Sequence, residues 1–260
     1  MSRNFELLQQ IGREQDLFQS SGPAREVFTA AADPATDTVE PAATLPPLPA
    51  TWDNAGGDEV TALVQRVFFV AGNENLQTVV FAGTEPGNGC TWLCTRVAEA
   101  LASRVSTSVC LVDANLRAPG LHMETNIPNH HGLSEALLQS GPMSKFVTPL
   151  SANLSVVSCG SEPEKAQALL TSDRMRARLN ELRGLFSYVL IDASAMNSSG
   201  EAVALGGSAD GVVLVLKANS SRKETARGAV RELQAARVRV LGAVLNQRTF
   251  PIPQAIYDKL

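Results

Sequence analysis

The chain contains no Lys/Arg block, no long apolar run, no Cys-x-x-Cys pair and, in 260 residues, two tyrosines. Each absence removes a class of function. Formal net charge is −4 with the basic residues scattered, so the basic face of a nucleic-acid binder is missing and no nucleic-acid partner is expected. No apolar run approaches the about 18–20 residues that cross a bilayer, so no membrane span is expected. The N-terminal stretch MSRNFELLQQIGREQDLF carries acidic residues and lacks a signal-peptide core, which makes the expected location cytoplasmic. Four cysteines, Cys90, Cys94, Cys110 and Cys159, have no zinc-like spacing. Cys110 and Cys159 fall in apolar runs and read as reduced, buried thiols.

What is present is enough apolar sequence for a core: 44% apolar and 18% charged residues. Residues 1–20 hold a short amphipathic helix with Phe5, Leu8, Ile11 and Phe18 on one side. Residues 21–57, rich in Pro, Ala, Thr and Gly, read as a flexible linker. A folded domain spans 58–260 and opens on a helix, DEVTALVQRVFF.

Within that domain, short apolar runs alternate with helical patterns. The runs are TVVFAGT (78–84), SVCLVDA (108–114), LSVVSCG (154–160), SYVLIDA (187–193), GVVLVLKA (211–218) and VLGAVLN (240–246). Most are continuously apolar, as strands covered on both faces are. Helices are expected at 90–103, 133–139, 171–184 and 222–236. This order predicts an α/β fold: a doubly wound, mainly parallel sheet flanked by helices. Ligands then sit at the carboxyl ends of the strands.

Three strand ends carry chemistry. After the first run comes Thr84-Glu85-Pro86-Gly87-Asn88-Gly89-Cys90-Thr91-Trp92, a glycine-rich turn leading into a helix. Backbone amides and a helix N-terminus there favour an anion, so all nine residues form the candidate nucleotide-binding loop. The same turn could be no more than a tight structural one. The phosphate-loop motif ends Gly-Lys-Ser/Thr, and here Cys90 stands in the place of the lysine. The second run ends at Asp113, followed by Asn115, Arg117 and Pro119. The fourth ends at Asp192, in the pattern of a Walker B strand. Thr91, Asp113 and Asp192 are the candidate Mg2+ residues.

On the strings GTEPGNGCT, VDANLRAPGLH, HGLSEALL, LLTSDRMRARLNELRGLFSYVLIDAS, DGVVLVLKANSSRKETARGAVRELQ and VLGAVLNQ, residues 58–250 resemble the bacterial tyrosine autokinases of capsular and exopolysaccharide synthesis. These are the CpsD/CapB group of MinD/ParA-like P-loop proteins. The string from Asp113 to His122, Asp-x-x-x-Arg-x-Pro-x-x-His, is the more specific marker. Pro86-Gly87 stands where ParA and MinD proteins usually carry a signature lysine. The resemblance implies ATP or ADP and Mg2+ as cofactors, with Asn246 near the adenine. It further implies a membrane polysaccharide co-polymerase, the chain-length determinant, as partner, and homo- or hetero-oligomers.

Four departures from that family point the same way. Cys90 removes a fixed charge from the loop. Asn115 stands where the family has a second aspartate that acts as the base, so no catalytic residue is assigned. The tyrosine-rich tail is reduced to Tyr257, the one phosphoacceptor candidate. The assembly motif Glu-x-x-Arg-x-x-Arg becomes Glu59-x-x-Ala62-x-x-Gln65. The expected function is a catalytically impaired, kinase-like protein that regulates or scaffolds a co-polymerase at the inner membrane, with nucleotide binding weakened. Two alternatives stay open: an active autokinase in which another basic residue, such as Arg117, replaces the lysine, and a ParA/MinD-like positioning ATPase. Cys90 could act as a low-pKa redox thiol or be a neutral replacement for the lysine. Arg222 and Lys223 could meet a phosphate or form a solvated face.

Overall fold

The apolar runs become strands because successive side chains point to opposite faces and each face is covered by helices. A computed structural model describes residues 54–70 and 76–248. The expected N-terminal helix, most of the linker and Tyr257 lie outside the described residues.

The first helix, α1 (Asn54–Phe68), begins four residues before the expected Asp58, taking in two glycines that read as linker. Then come β1 (Thr78–Gly83), α2 (Cys90–Ala102), β2 (Val109–Ala114), α3 (Leu121–Thr125) and α4 (Leu133–Leu138). After a 3-10 turn follow β3 (Thr148–Pro149), β4 (Leu154–Val157) and α5 (Pro163–Ala166). The chain continues through a second 3-10 turn (Gln167–Thr171) to α6 (Asp173–Leu185), β5 (Tyr188–Ala193), α7 (Glu201–Gly207), β6 (Gly211–Lys217), α8 (Lys223–Ala235) and β7 (Val240–Asn246).

Among the described residues the sheet has seven strands in the order β3-β4-β2-β5-β1-β6-β7, parallel except for the antiparallel β3–β4 pair. One face carries Val80, Val112, Ile191 and Leu214 against Leu133, Leu179, Leu205 and Leu233 from α4, α6, α7 and α8. The other carries Phe81, Leu111, Leu190 and Val213 against Val64, Phe68, Val97 and Leu101 from α1 and α2.

Two expected boundaries move. The run 154–160 is a strand only to Val157. Beyond it, the carbonyls of Ser158 and Cys159 accept from Leu133 and Ser134, and Gly160 turns with φ +91°. The helix expected from 171 begins at Asp173, because a 3-10 turn precedes it with the same apolar spacing. Among the described residues, no helix is long and apolar enough to cross a membrane.

Candidate nucleotide site

The order β2-β5-β1 puts three adjacent strand ends side by side. Asp113 and Asp192 are direct cross-strand partners, and Phe81 of β1 lies opposite Asp192 on its other side. By strand alternation both aspartates share the face of Leu111 and Leu190, the face that α2 covers. Both are fully buried.

α2 begins at Cys90, just after the glycine turn. Gly87 and Gly89 have φ of 79° and 73°, the left-handed region that a side chain disfavours. Asn88 is buried, and its Nδ2 donates to Thr84 Oγ1 and to the Val215 carbonyl of β6, both at 2.9 Å. Pro86 and Gly87 are exposed at the tip, and Glu85 is half-buried. From Gly87 to Trp92, no backbone N–H donates to another group among the described residues. These amides stand at the start of a 13-residue helix, an arrangement that can receive an anion.

Thr91 Oγ1 donates to Asp192 Oδ2 at 2.6 Å. Asp192 Oδ1 is buried and has no hydrogen-bond partner among the described residues. Asp113 accepts backbone N–H bonds from Asn115 and Leu121, both at 3.1 Å. Burial first, then the charge of Asp192, pushes Asp113 up to about 8, against the pull of those amides. Burial pushes Asp192 up to about 6, opposed by hydrogen bonds from Thr91 and Cys90. Burial of two carboxyl groups side by side disfavours charge on both, and most strongly on Asp113. The orphaned Oδ1 is a vacant acceptor suited to a hard divalent cation. No group of three or more His, Cys, Asp or Glu among the described residues makes a metal site alone. A Mg2+ ion here would complete its shell with waters and phosphate oxygens.

Cys90 is partly exposed as a residue, yet desolvation, then Asp192 and Cys94, raise its thiol well above the ordinary range. That is opposite to the redox-thiol reading, which needs a lowered value. The other three cysteines are buried and free.

Trp92 points outward, 42% exposed, under the Arg96 guanidinium at 5.8 Å from its ring. Asn115 Nδ2 donates to the Ala118 carbonyl at 3.0 Å, so its side chain shapes the turn. Arg117 bonds Glu201 Oε1 at 3.1 Å, and the same buried glutamate accepts from Gln167 and Ser194. Arg222 and Lys223 are exposed. Asn246 lies against the loop itself, with Nδ2 at 2.9 Å from the Asn88 carbonyl and 3.3 Å from that of Gly89. Sequence reasoning missed Gln247, whose Nε2 reaches the Gly87 carbonyl at 3.4 Å, and Glu201, which holds Arg117.

Residues 76–229 match the family model described as cellulose biosynthesis protein BcsQ, more than half of the chain. The chain belongs to this family. Its fold is that of the MinD/ParA-like P-loop proteins. It is similar to the tyrosine-protein kinase YwqD of Bacillus subtilis (strain 168), with 28% identity over 182 residues, 70% of this chain and 76% of that one. It is similar to the putative tyrosine-protein kinase CapB of Staphylococcus aureus, with 24% identity over 70% of this chain and 80% of CapB. The kinase domain of the Escherichia coli tyrosine kinase ETK superposes with a TM-score of 0.69 at 24% identity, covering 77% of this chain and 82% of that domain, a likeness of fold. The BcsQ-family chain thus shares its framework with tyrosine kinases while its loop holds Cys90 instead of lysine.

Proposed function

We propose that this chain is a nucleotide-binding P-loop protein of exported-polysaccharide synthesis whose kinase chemistry is impaired. In this reading it regulates or scaffolds a membrane chain-length co-polymerase from the cytoplasmic side. The observation that carries the reading is Cys90, set in a cradle otherwise intact. Gly87 and Gly89 keep the left-handed turn, the amides stay unpaired, and Thr91 stays on Asp192. The cradle favours a phosphate; the missing cation weakens it and slows any transfer. A fixed charge that tightens in the transition state contributes roughly 10²–10³ in rate. Asn115 cannot take a proton near neutral pH, so general-base work at that position is absent.

Thr91, Asp113 and Asp192 would hold Mg2+, which when bound neutralises charge on the phosphates. The description of the family as cellulose biosynthesis supports the polysaccharide setting. The kinase names of its relatives support descent of the site from a phosphoryl-transfer fold. An active autokinase is the second reading, and it needs a cation from elsewhere. Arg117 is the candidate in this chain, and its tie to Glu201 counts against it.

The test is calorimetric titration of the full chain with ATP and Mg2+, beside Cys90→Lys. Weak or no binding by wild type with binding by the variant supports the impaired cradle. Micromolar binding and phosphate release by wild type would overturn it.

A further inference from the structure

A turn that aims its N–H groups at a phosphate aims its carbonyls the other way, and those carbonyls need donors of their own. In this chain the Gly89 carbonyl accepts from the Leu93 N–H of α2 at 3.1 Å, and the other donors come from the far edge of the sheet. The Asn246 amide at the end of β7 reaches the carbonyls of Asn88 and Gly89, and the Gln247 amide reaches that of Gly87. β7 is not a neighbour of β1; β6 lies between them. The two amides therefore cross the end of β6 to reach the outside of the loop. The packing there is close: a Cβ built on Gly89 would lie 2.5 Å from Asn246 Nδ2 and 2.9 Å from Gln247 Nε2. From below, Asn88 Nδ2 ties the same loop to the Val215 carbonyl of β6.

We propose that Asn246 and Gln247 are positioning residues that hold the loop in its phosphate-accepting form through its carbonyls, a task made more exacting by the missing lysine. This rests on the nucleotide reading given above. Without a fixed cation at position 90, phosphate affinity depends on how well the amides from Gly87 to Thr91 are aimed. Three consecutive carbonyls anchored from outside fix that aim. Asn246 thereby serves the phosphate end of the site through the loop backbone.

The experiment has two arms on the full chain. The first needs no ligand: 15N order parameters of Gly87, Asn88 and Gly89 in wild type, Asn246→Ala and Gln247→Ala. Expected is a fall from about 0.85 to below about 0.6 at these amides in Asn246→Ala, a smaller fall in Gln247→Ala, and none inside α2. Gln247 is exposed at the rim, so its variant keeps the test open if Asn246→Ala folds poorly. The second arm titrates ATP with Mg2+ into wild type, Asn246→Ala, Cys90→Lys and the double variant. Expected is a loss of about three- to tenfold for Asn246→Ala in the Cys90 background, the size of one or two hydrogen bonds, and a clearly smaller loss with Cys90→Lys. A residue that merely supports the fold would cost the same in both backgrounds, and equal losses would overturn the proposal. Unchanged order parameters in both single variants would overturn it too. Loosened loops with no binding by any form would sink the nucleotide reading and leave the brace standing.

Discussion

Thr91 and Asp192 meet at 2.6 Å across the junction of α2 and β5. This one hydrogen bond couples the first turn of the loop helix to the carboxylate at the strand end beside it. The other oxygen of Asp192 has no hydrogen-bond partner among the described residues, so the Thr91 hydroxyl is the main side-chain support of that carboxylate. Thr91→Val keeps the shape and removes the donor. The expected cost is about 1–3 kcal/mol at pH 7, because the acceptor is buried and left unsatisfied. Thr91→Ser should recover most of it. Urea midpoints of the three forms decide the point; equal midpoints would mean that the bond contributes nothing.

The raised carboxyl of Asp113 gives a pH dependence with a definite sign. Its ordinary value is 3.8 and its folded value is about 8, raised first by burial and then by Asp192. Between those values the folded chain holds a proton that the unfolded chain has released. The stability that this one carboxyl contributes is therefore greatest below the lower value and falls as pH rises toward the upper one. Asp113→Asn removes this titration but also gives up an acceptor for the Asn115 or Leu121 amide. The variant should be less stable than wild type near pH 5 and gain on it by up to about 3–4 kcal/mol by pH 8. Denaturant melts at the two pH values check it. Parallel pH profiles would show that Asp113 keeps an ordinary carboxylate value.

The strand ends were legible because chemistry interrupts an apolar run: Val-Leu-Ile-Asp and Leu-Val-Asp each close a strand buried on both faces. Asp113 and Asp192 followed from that pattern, and so did the loop between β1 and α2. The brace was not legible. Asn246 and Asn88 lie 158 positions apart, and their contact depends on where β7 falls in the sheet order. α7, Glu201–Gly207, was missed because it is short and ends in two glycines. The pairing of Arg117 with Glu201 was hidden for the same reason. From sequence Arg117 is one candidate for a substitute cation, and the partner that holds it sits on that unrecognised helix.

Thiol chemistry offers a direct check on Cys90. Its thiol is raised well above the usual range by desolvation and by the charges of Asp192 and Cys94. Only the thiolate attacks disulfide reagents. In native protein at pH 7, modification of Cys90 should run at least about tenfold slower than in an unstructured peptide. The Asp192→Asn variant should react faster, since a charge that opposes the thiolate is gone. Mass-spectrometric labelling resolves the site. Rapid modification of wild-type Cys90 would restore the redox-thiol reading.

Restoring catalysis should need two changes made together. Cys90→Lys supplies the charge; Asn115→Asp supplies the base. Asn115→Asp alone removes the bond from Nδ2 to the Ala118 carbonyl and places a third carboxylate near Asp113 and Asp192. It should cost about 1 kcal/mol of stability with no gain in phosphoryl transfer. Cys90→Lys alone should tighten ATP by about tenfold or more and leave transfer slow. The double variant should hydrolyse ATP or phosphorylate an added tyrosine peptide faster than the product of the single effects, because a base and a phosphate clamp act on the same transition state. Single-turnover assays of the four forms, with stability measured alongside, separate a rebuilt site from a destabilised one. A double variant that binds ATP tightly, stays folded and still transfers nothing would mean that Cys90 and Asn115 are not what holds the chemistry back.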